Sequence, residues 1–211
     1  MRKTEAVIFD WAGTTVDYGC FAPVQAFAEV FQHFGIVPTM EEVRKPMGML
    51  KIDHIRTMLQ MERIQKLWRD QWGRASEEED VLGMYRLFEE KLMGILEQYA
   101  QPKPYVLETV AELRSRGIRI GSTTGYTDTM MQIVTREAEK AGYEPDAWFS
   151  PDSTGKRGRP YPYMIFRNLE VLKVGAVQNV IKVGDTVSDI QEGKNAGVRT
   201  VGVVEGSSEM G

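Results

Sequence analysis

Four short apolar runs punctuate the chain, and each gives way to glycine or polar residues: Ala6-Val7-Ile8-Phe9, Ile118-Arg119-Ile120-Gly121, Val180-Ile181-Lys182-Val183 and Thr200-Val201-Gly202-Val203-Val204. Short β-branched runs followed by turn residues predict buried strands. Stretches with helical spacing over residues 106–116, 127–141, 160–172 and 187–196 accompany them. Strands alternating with helices predict a parallel sheet joined by right-handed crossovers. The expected fold is α/β, a doubly wound Rossmann-like sheet.

The alternation fails between the first two runs. Residues from about Phe21 to Tyr99 carry helical patterns and no convincing strand, so the chain divides into an α/β core of residues 1–19 and 101–211 with a helical subdomain of residues 20–100 inserted after the first strand. Thr39-x-x-Glu42 and Ser76-x-x-Glu79 read as capping boxes, Gly35 and Gly73 as helix ends, and Pro102-x-Pro104 as the return linker. Met58, Leu59, Met61, Ile64, Leu67, Trp68 and Trp72 place bulky apolar groups along one helix. That pattern predicts an inter-helix core first and a homodimer surface second. The chain ends at Gly211 soon after the last run, which predicts a sheet edge or face left uncovered and a protein shortened at its C-terminus.

Composition narrows the classes. With 211 residues, 42% hydrophobic and 27% charged, the chain can bury a sizeable core and is not generally disordered. Its 26 basic and 30 acidic residues give a net charge of −4, so no basic field exists to hold nucleic acid or an anionic membrane. Cys20 is the single cysteine, and the apolar run before Asp10 spans only Ala6 to Phe9. Neither a disulfide nor a signal segment is expected, which points to a reduced, cytoplasmic protein.

Ligand sites in open α/β sheets lie beyond the carboxyl ends of the strands. There the sequence delivers Asp10, then Ser122-Thr123-Thr124-Gly125, then Gly184-Asp185-Thr186 with Asp189, and Arg159 opens the helix before the third run. Together these suit phosphoryl transfer. A carboxylate attacks phosphorus if the charge on the equatorial oxygens is neutralised. Asp185 and Asp189 can hold Mg²⁺ with Asp10, Thr124 can donate a hydroxyl hydrogen bond, and Arg159 can pair with phosphate oxygens. No Walker A motif is present. Singly each residue is ordinary, since an Asp after a strand is more often a cap or turn residue; the ordered set is specific.

That set resembles the haloacid dehalogenase superfamily, whose motifs read here as Asp10-Trp11-Ala12-Gly13-Thr14, Thr124-Gly125, Arg159 and Gly184-Asp185-x-x-x-Asp189. The superfamily's phosphatases carry a second Asp two residues after the nucleophile, where this chain has Ala12. A phosphate-ester hydrolase built this way lacks its general acid, so a carbon leaving group with an electron sink becomes the better expectation. A lysine condensed with an aldehyde β to phosphorus supplies that sink. Lys51, in Met47-Gly48-Met49-Leu50-Lys51-Ile52-Asp53-His54, is the candidate. About 0.1% of an unperturbed lysine is neutral at pH 7.4, so a fall of about three pKa units is needed to make most of it nucleophilic.

With Lys45-Pro46-Met47-Gly48, Gly158-Arg159-Pro160 and Lys182-Val183-Gly184-Asp185 added, the chain resembles the phosphonatase branch along nearly its whole length. The resemblance implies Asp10 as nucleophile and Lys51 as Schiff-base lysine. It implies Mg²⁺ held by Asp10, the carbonyl of Ala12 and Asp185, with Asp189 as a further ligand or a support behind them. Thr124 and Arg159 would bind phosphate, and Cys20, Met47, His54 and Tyr126 would line the cleft. The expected reaction is hydrolysis of the C–P bond of phosphonoacetaldehyde by a homodimer joined through the cap helices. A Mg²⁺-dependent phosphomonoesterase or mutase, and a receiver-like phosphoacceptor module, remain the alternatives.

Overall fold

The computed structural model describes residues 3–208. Five parallel strands form one sheet: β1 (Ala6–Phe9), β2 (Arg119–Thr123), β3 (Ala147–Phe149), β4 (Val180–Gly184) and β5 (Arg199–Gly202), in the order β3-β2-β1-β4-β5. β1 is central, and the winding runs outward from it in both directions, which opens a crevice at its carboxyl end. All four residues of β1 are buried. They alternate between two cores: Val7 and Phe9 join one apolar cluster, while Ala6 and Ile8 join the other with Ile165, Leu169 and Val180.

Between β1 and β2 run α1 (Phe21–His33), α2 (Met40–Arg44), α3 (Lys51–Leu59), α4 (Glu62–Trp72) and α5 (Glu78–Met93). These form a helical layer. α6 (Val106–Ser115), α7 (Asp128–Lys140), α8 (Tyr163–Val171) and α9 (Val187–Asn195) flank the sheet. No described helix is long and apolar enough to cross a membrane.

Several sequence expectations need correction. β3 escaped the pattern because it is three residues long, half-buried and at the sheet edge. The last strand begins one residue earlier than its apolar run and stops at Gly202. The stretch from Met58 to Trp72 belongs to two helices, α3 ending at Leu59 and α4 starting at Glu62. Met58, Leu59, Ile64 and Trp68 are buried between helices, as the first reading of that pattern expects, and only Trp72 of that set is substantially exposed. Arg159 lies in the loop ahead of α8, which starts at Tyr163.

Helix punctuation follows local hydrogen bonding. Thr39 and Glu42 form a reciprocal capping box, and Gly73 closes α4 at φ 68°. α5 is capped one residue later than its Ser/Glu pattern implies. Glu77 is the N-cap and Asp80 its partner, with the Asp80 carboxylate accepting the Glu77 N–H at 2.8 Å and pairing with Arg74 at 2.6 Å. The frame shifts by one residue because Arg74 fixes Asp80 over the helix start. Asp80→Ala is expected to destabilise the protein by about 1 kcal/mol in urea unfolding, and Ser76→Ala by less than about 0.5 kcal/mol.

Candidate active site

Parallel register brings the site together. Phe9 lies opposite Ser122 of β2 and Val183 of β4, so one residue further on Asp10, Thr123 and Gly184 emerge side by side. Beyond β1 the Trp11 carbonyl accepts the N–H groups of Thr14, Thr15 and Val16, folding the chain into a tight loop. Gly13 sits there at φ 86°, and a Cβ would collide with the Asp185 carboxylate. Only glycine allows that approach.

Asp10 is buried, and burial is the main force raising its pKa to about 7; Arg159 opposes this, while Asp189 and Asp185 add to it. Arg159 contacts Asp10 Oδ1 at 2.5 Å, Asp189 Oδ1 at 3.1 Å and Glu192 Oε2 at 3.2 Å. Burial disfavours its charge, but those carboxylates outweigh burial and raise its pKa. Lys182, fully buried in β4, reaches Asp189 Oδ1 at 2.8 Å, the Thr123 hydroxyl at 2.8 Å and Glu192 at 3.3 Å. Asp189 also accepts the Thr186 hydroxyl at 2.6 Å and, in the α9 capping box, the Thr186 N–H at 3.2 Å. Burial works to raise the Asp189 pKa, but Arg159 and Lys182 hold it below the usual value.

The Asp10, Asp185 and Asp189 carboxylates can place one oxygen each within 4.8 Å of the others. All are hard donors, and a divalent cation would offset the burial and the neighbouring carboxylates that raise the Asp10 pKa. The residues fit such an ion. They are not equivalent, since both Asp189 oxygens are engaged by Thr186, Lys182 and Arg159, whereas Asp185 is aimed by the Thr14 hydroxyl at 2.8 Å and the Ser208 N–H at 2.6 Å.

Opposite these groups stands Lys51, the first residue of α3. It is delivered by a turn at Gly48, φ 83°, where a Cβ would collide with the Thr186 side chain. Lys51 is buried, with its ammonium 5.1 Å from the Tyr126 ring centroid and 5.9 Å from that of Phe27. Burial lowers its pKa below that of an ordinary lysine, against opposition from Cys20 and Asp10.

Asp10, Ala12, Cys20, Met47, Lys51, Thr124, Tyr126 and Arg159 line one cavity of about 20 Å³, room for about one water. Gly48, Thr186 and Ser208 also border it. Thr124 Oγ1 accepts the Tyr126 N–H at 3.0 Å, leaving the hydroxyl proton available. Cys20 begins α1 at φ 53°, and burial pushes its thiol pKa up.

His54 departs from the expectation, for it is not on the cavity wall. It is fully buried behind Lys51, stacked on Phe27 with centroids 3.7 Å apart, and burial, with Lys51 nearby, holds its pKa well below the ordinary value. Sequence reasoning also missed Lys182, Glu192 and Ser208. A lysine inside a buried strand run was the available signal for Lys182; Ser208 had none.

A family model described as haloacid dehalogenase-like hydrolase matches residues 4–197. Among curated proteins, the phosphonoacetaldehyde hydrolase of Lysinibacillus sphaericus is 56% identical over 209 residues, covering 99% of this chain and 78% of that protein. The bifunctional phosphonoacetaldehyde hydrolase/aminoethylphosphonate transaminase of Clostridioides difficile is 54% identical, covering 100% and 33%. Among solved structures, a phosphonoacetaldehyde hydrolase-like protein from Oleispira antarctica superposes with a TM-score of 0.91 at 43% identity, over 95% of this chain and 72% of that one. CbbY from Rhodobacter sphaeroides, at 19% identity, covering 93% of this chain and 84% of its own with a TM-score of 0.71, shares the fold. The chain therefore belongs to the haloacid dehalogenase-like hydrolases and, among them, to the phosphonoacetaldehyde hydrolase family.

Lys182→Met would leave Asp189 and Glu192 without one of their two cations. Urea unfolding is expected to show a loss of about 3–5 kcal/mol, the cost of breaking a buried charge pair from one side.

Proposed function

We propose that the chain hydrolyses the C–P bond of phosphonoacetaldehyde to acetaldehyde and phosphate, using a lysine imine and an aspartyl phosphate. The observation that carries this reading is the meeting of buried Lys51 with Asp10 in one cavity, beside an alanine where an acid would serve an ester. Lys51 in its neutral form adds to the aldehyde and, with uptake of one proton from solvent and loss of water, gives a protonated imine. Asp10 attacks phosphorus as the C–P electron pair moves into the imine, leaving an enamine on Lys51 and phosphate on Asp10. Protonation of the enamine carbon followed by water addition releases acetaldehyde and frees the amine. A second water cleaves the aspartyl phosphate.

Arg159 and Thr124 are placed to hold phosphoryl oxygens, Arg159 by its fork of donors and Thr124 by its free hydroxyl proton. Asp10, the Ala12 carbonyl and Asp185 would hold Mg²⁺, with Asp189 orienting Arg159 and Lys182 behind them. When bound, that ion supplies positive charge against the phosphoryl oxygens and stabilises the ionised form of Asp10. Residues 20–100 act as a cap over a core of residues 1–19 and 101–211. The reading is supported by the small size of the cavity, which requires the helical layer to lift for substrate to enter, and by Lys51 and Asp10 coming from opposite sides of it. Closure keeps bulk water from the imine.

Borohydride added with phosphonoacetaldehyde is expected to inactivate the protein with a two-carbon mark on Lys51. Lys51→Arg is expected to lower phosphate release roughly a thousandfold or more. A mark elsewhere, or faster release from an aryl phosphate than from phosphonoacetaldehyde, would favour the phosphomonoesterase. Because burial disfavours the ammonium form, Lys51 should become acylable at lower pH than surface lysines. Competitive trace acetylation across pH, read by mass spectrometry, checks that sign.

A further inference from the structure

The segment after β5 turns back over the site and is held by two buried cations. Lys103 donates from Nζ to the carbonyls of Gly13 at 2.6 Å and of Glu205 and Gly206, both at 2.9 Å. Arg44, the last residue of α2, is buried and donates from Nη1 to the carbonyls of Gly19 at 3.0 Å and Ser208 at 2.6 Å. Its guanidinium also lies 5.7 Å from the Phe21 ring centroid. The N–H of the same Ser208 donates to Asp185 Oδ2 at 2.6 Å, and the other Asp185 oxygen accepts the Thr14 hydroxyl. One residue is thus gripped at its carbonyl by the helical layer while its amide aims a carboxylate of the acidic cluster.

A guanidinium taken out of water needs well-placed acceptors, and here the main chain of two segments supplies them. Fixing both ends of Ser208 removes its rotational freedom and so fixes the direction from which Asp185 is held. We propose that Arg44 is a positioning residue for the cation site, setting the orientation of Asp185 through Ser208 only while the helical layer is seated on the sheet. The inference rests on the reading of Asp10 and Asp185 as a Mg²⁺-holding pair. It makes seating of the layer and cation binding reciprocal: whatever favours one favours the other. Lys51 and the cation site, though on different layers, are then assembled in one event.

The test is calorimetric titration with MgCl₂ alone, without substrate, on the parent, Arg44→Met, Arg44→Lys, Ser208→Pro and the double variant Arg44→Met/Ser208→Pro, with near-UV circular dichroism to establish that each is folded. Proline removes the N–H that Asp185 accepts and leaves the carbonyl that Arg44 holds. Arg44→Met and Ser208→Pro are each expected to weaken Mg²⁺ binding about tenfold or more, with Arg44→Lys in between. The double variant should be within about twofold of the weaker single one, because the two contacts lie in series through Ser208. Arg44→Met binding within twofold of the parent, or losses that multiply in the double variant, would overturn the inference and leave the proposed function standing. If Arg44→Met fails to fold, Arg44→Lys decides by the same twofold criterion. A parent that binds no Mg²⁺ overturns both.

Discussion

Arg159 and Lys182 lie under the carboxyl end of the sheet, and their side chains are at most 2% exposed. A charge so placed is tolerated only with partners in good geometry, and these two share Asp189 and Glu192 between β4 and α9 while Arg159 alone reaches Asp10. The arrangement is costly to bury and contributes little net stability compared with an apolar core of similar volume. What it does supply is position. Asp10 cannot rotate away without abandoning Arg159, and Arg159 cannot leave without stranding Asp10 and leaving Asp189 and Glu192 to Lys182 alone. The Asp10 carboxylate and the Arg159 guanidinium are therefore fixed by one set of contacts before any ligand arrives.

The helical layer brings a different chemistry to the same place. It buries an amine instead of pairing it, and the walls next to Lys51 are the faces of Tyr126 and Phe27. His54, stacked behind on Phe27 with a depressed pKa, adds a ring that resists protonation and so adds no competing positive charge. One side of the cavity thus favours an uncharged nitrogen while the other concentrates ionised oxygens. A molecule with an aldehyde at one end and a phosphonate at the other has matching requirements at its two ends.

Much of this was legible in the sequence because the motifs sit where periodicity ends. Asp10, Thr124 and Asp185 follow apolar runs, and parallel register then leaves little freedom in where they meet. Lys51 was legible through its Met-Gly-Met-Leu approach and through Ala12, whose lack of a carboxyl group posed the question that an amine answers. What stayed hidden depends on side-chain direction. His54 shares a helix face with Lys51 by spacing, yet rotates into the core against Phe27. Lys182 was visible as part of a strand run and of a motif, but strand patterning does not reveal which buried lysine has acids waiting. The cap on α5 was displaced by Arg74, a charge outside the motif, and Ser208 enters only because the chain doubles back.

Gly48 meets Thr186 where the helical layer touches the cap of α9, with no space for even one carbon between them. The seam between layers is therefore drawn by an omission, the absence of a methyl group. A wedge of that width would part Gly48 from Thr186, and Lys51 lies only three residues along the same backbone. The fit of the two layers in this molecule thus depends on an empty position at the seam as well as on the side chains that line the cavity.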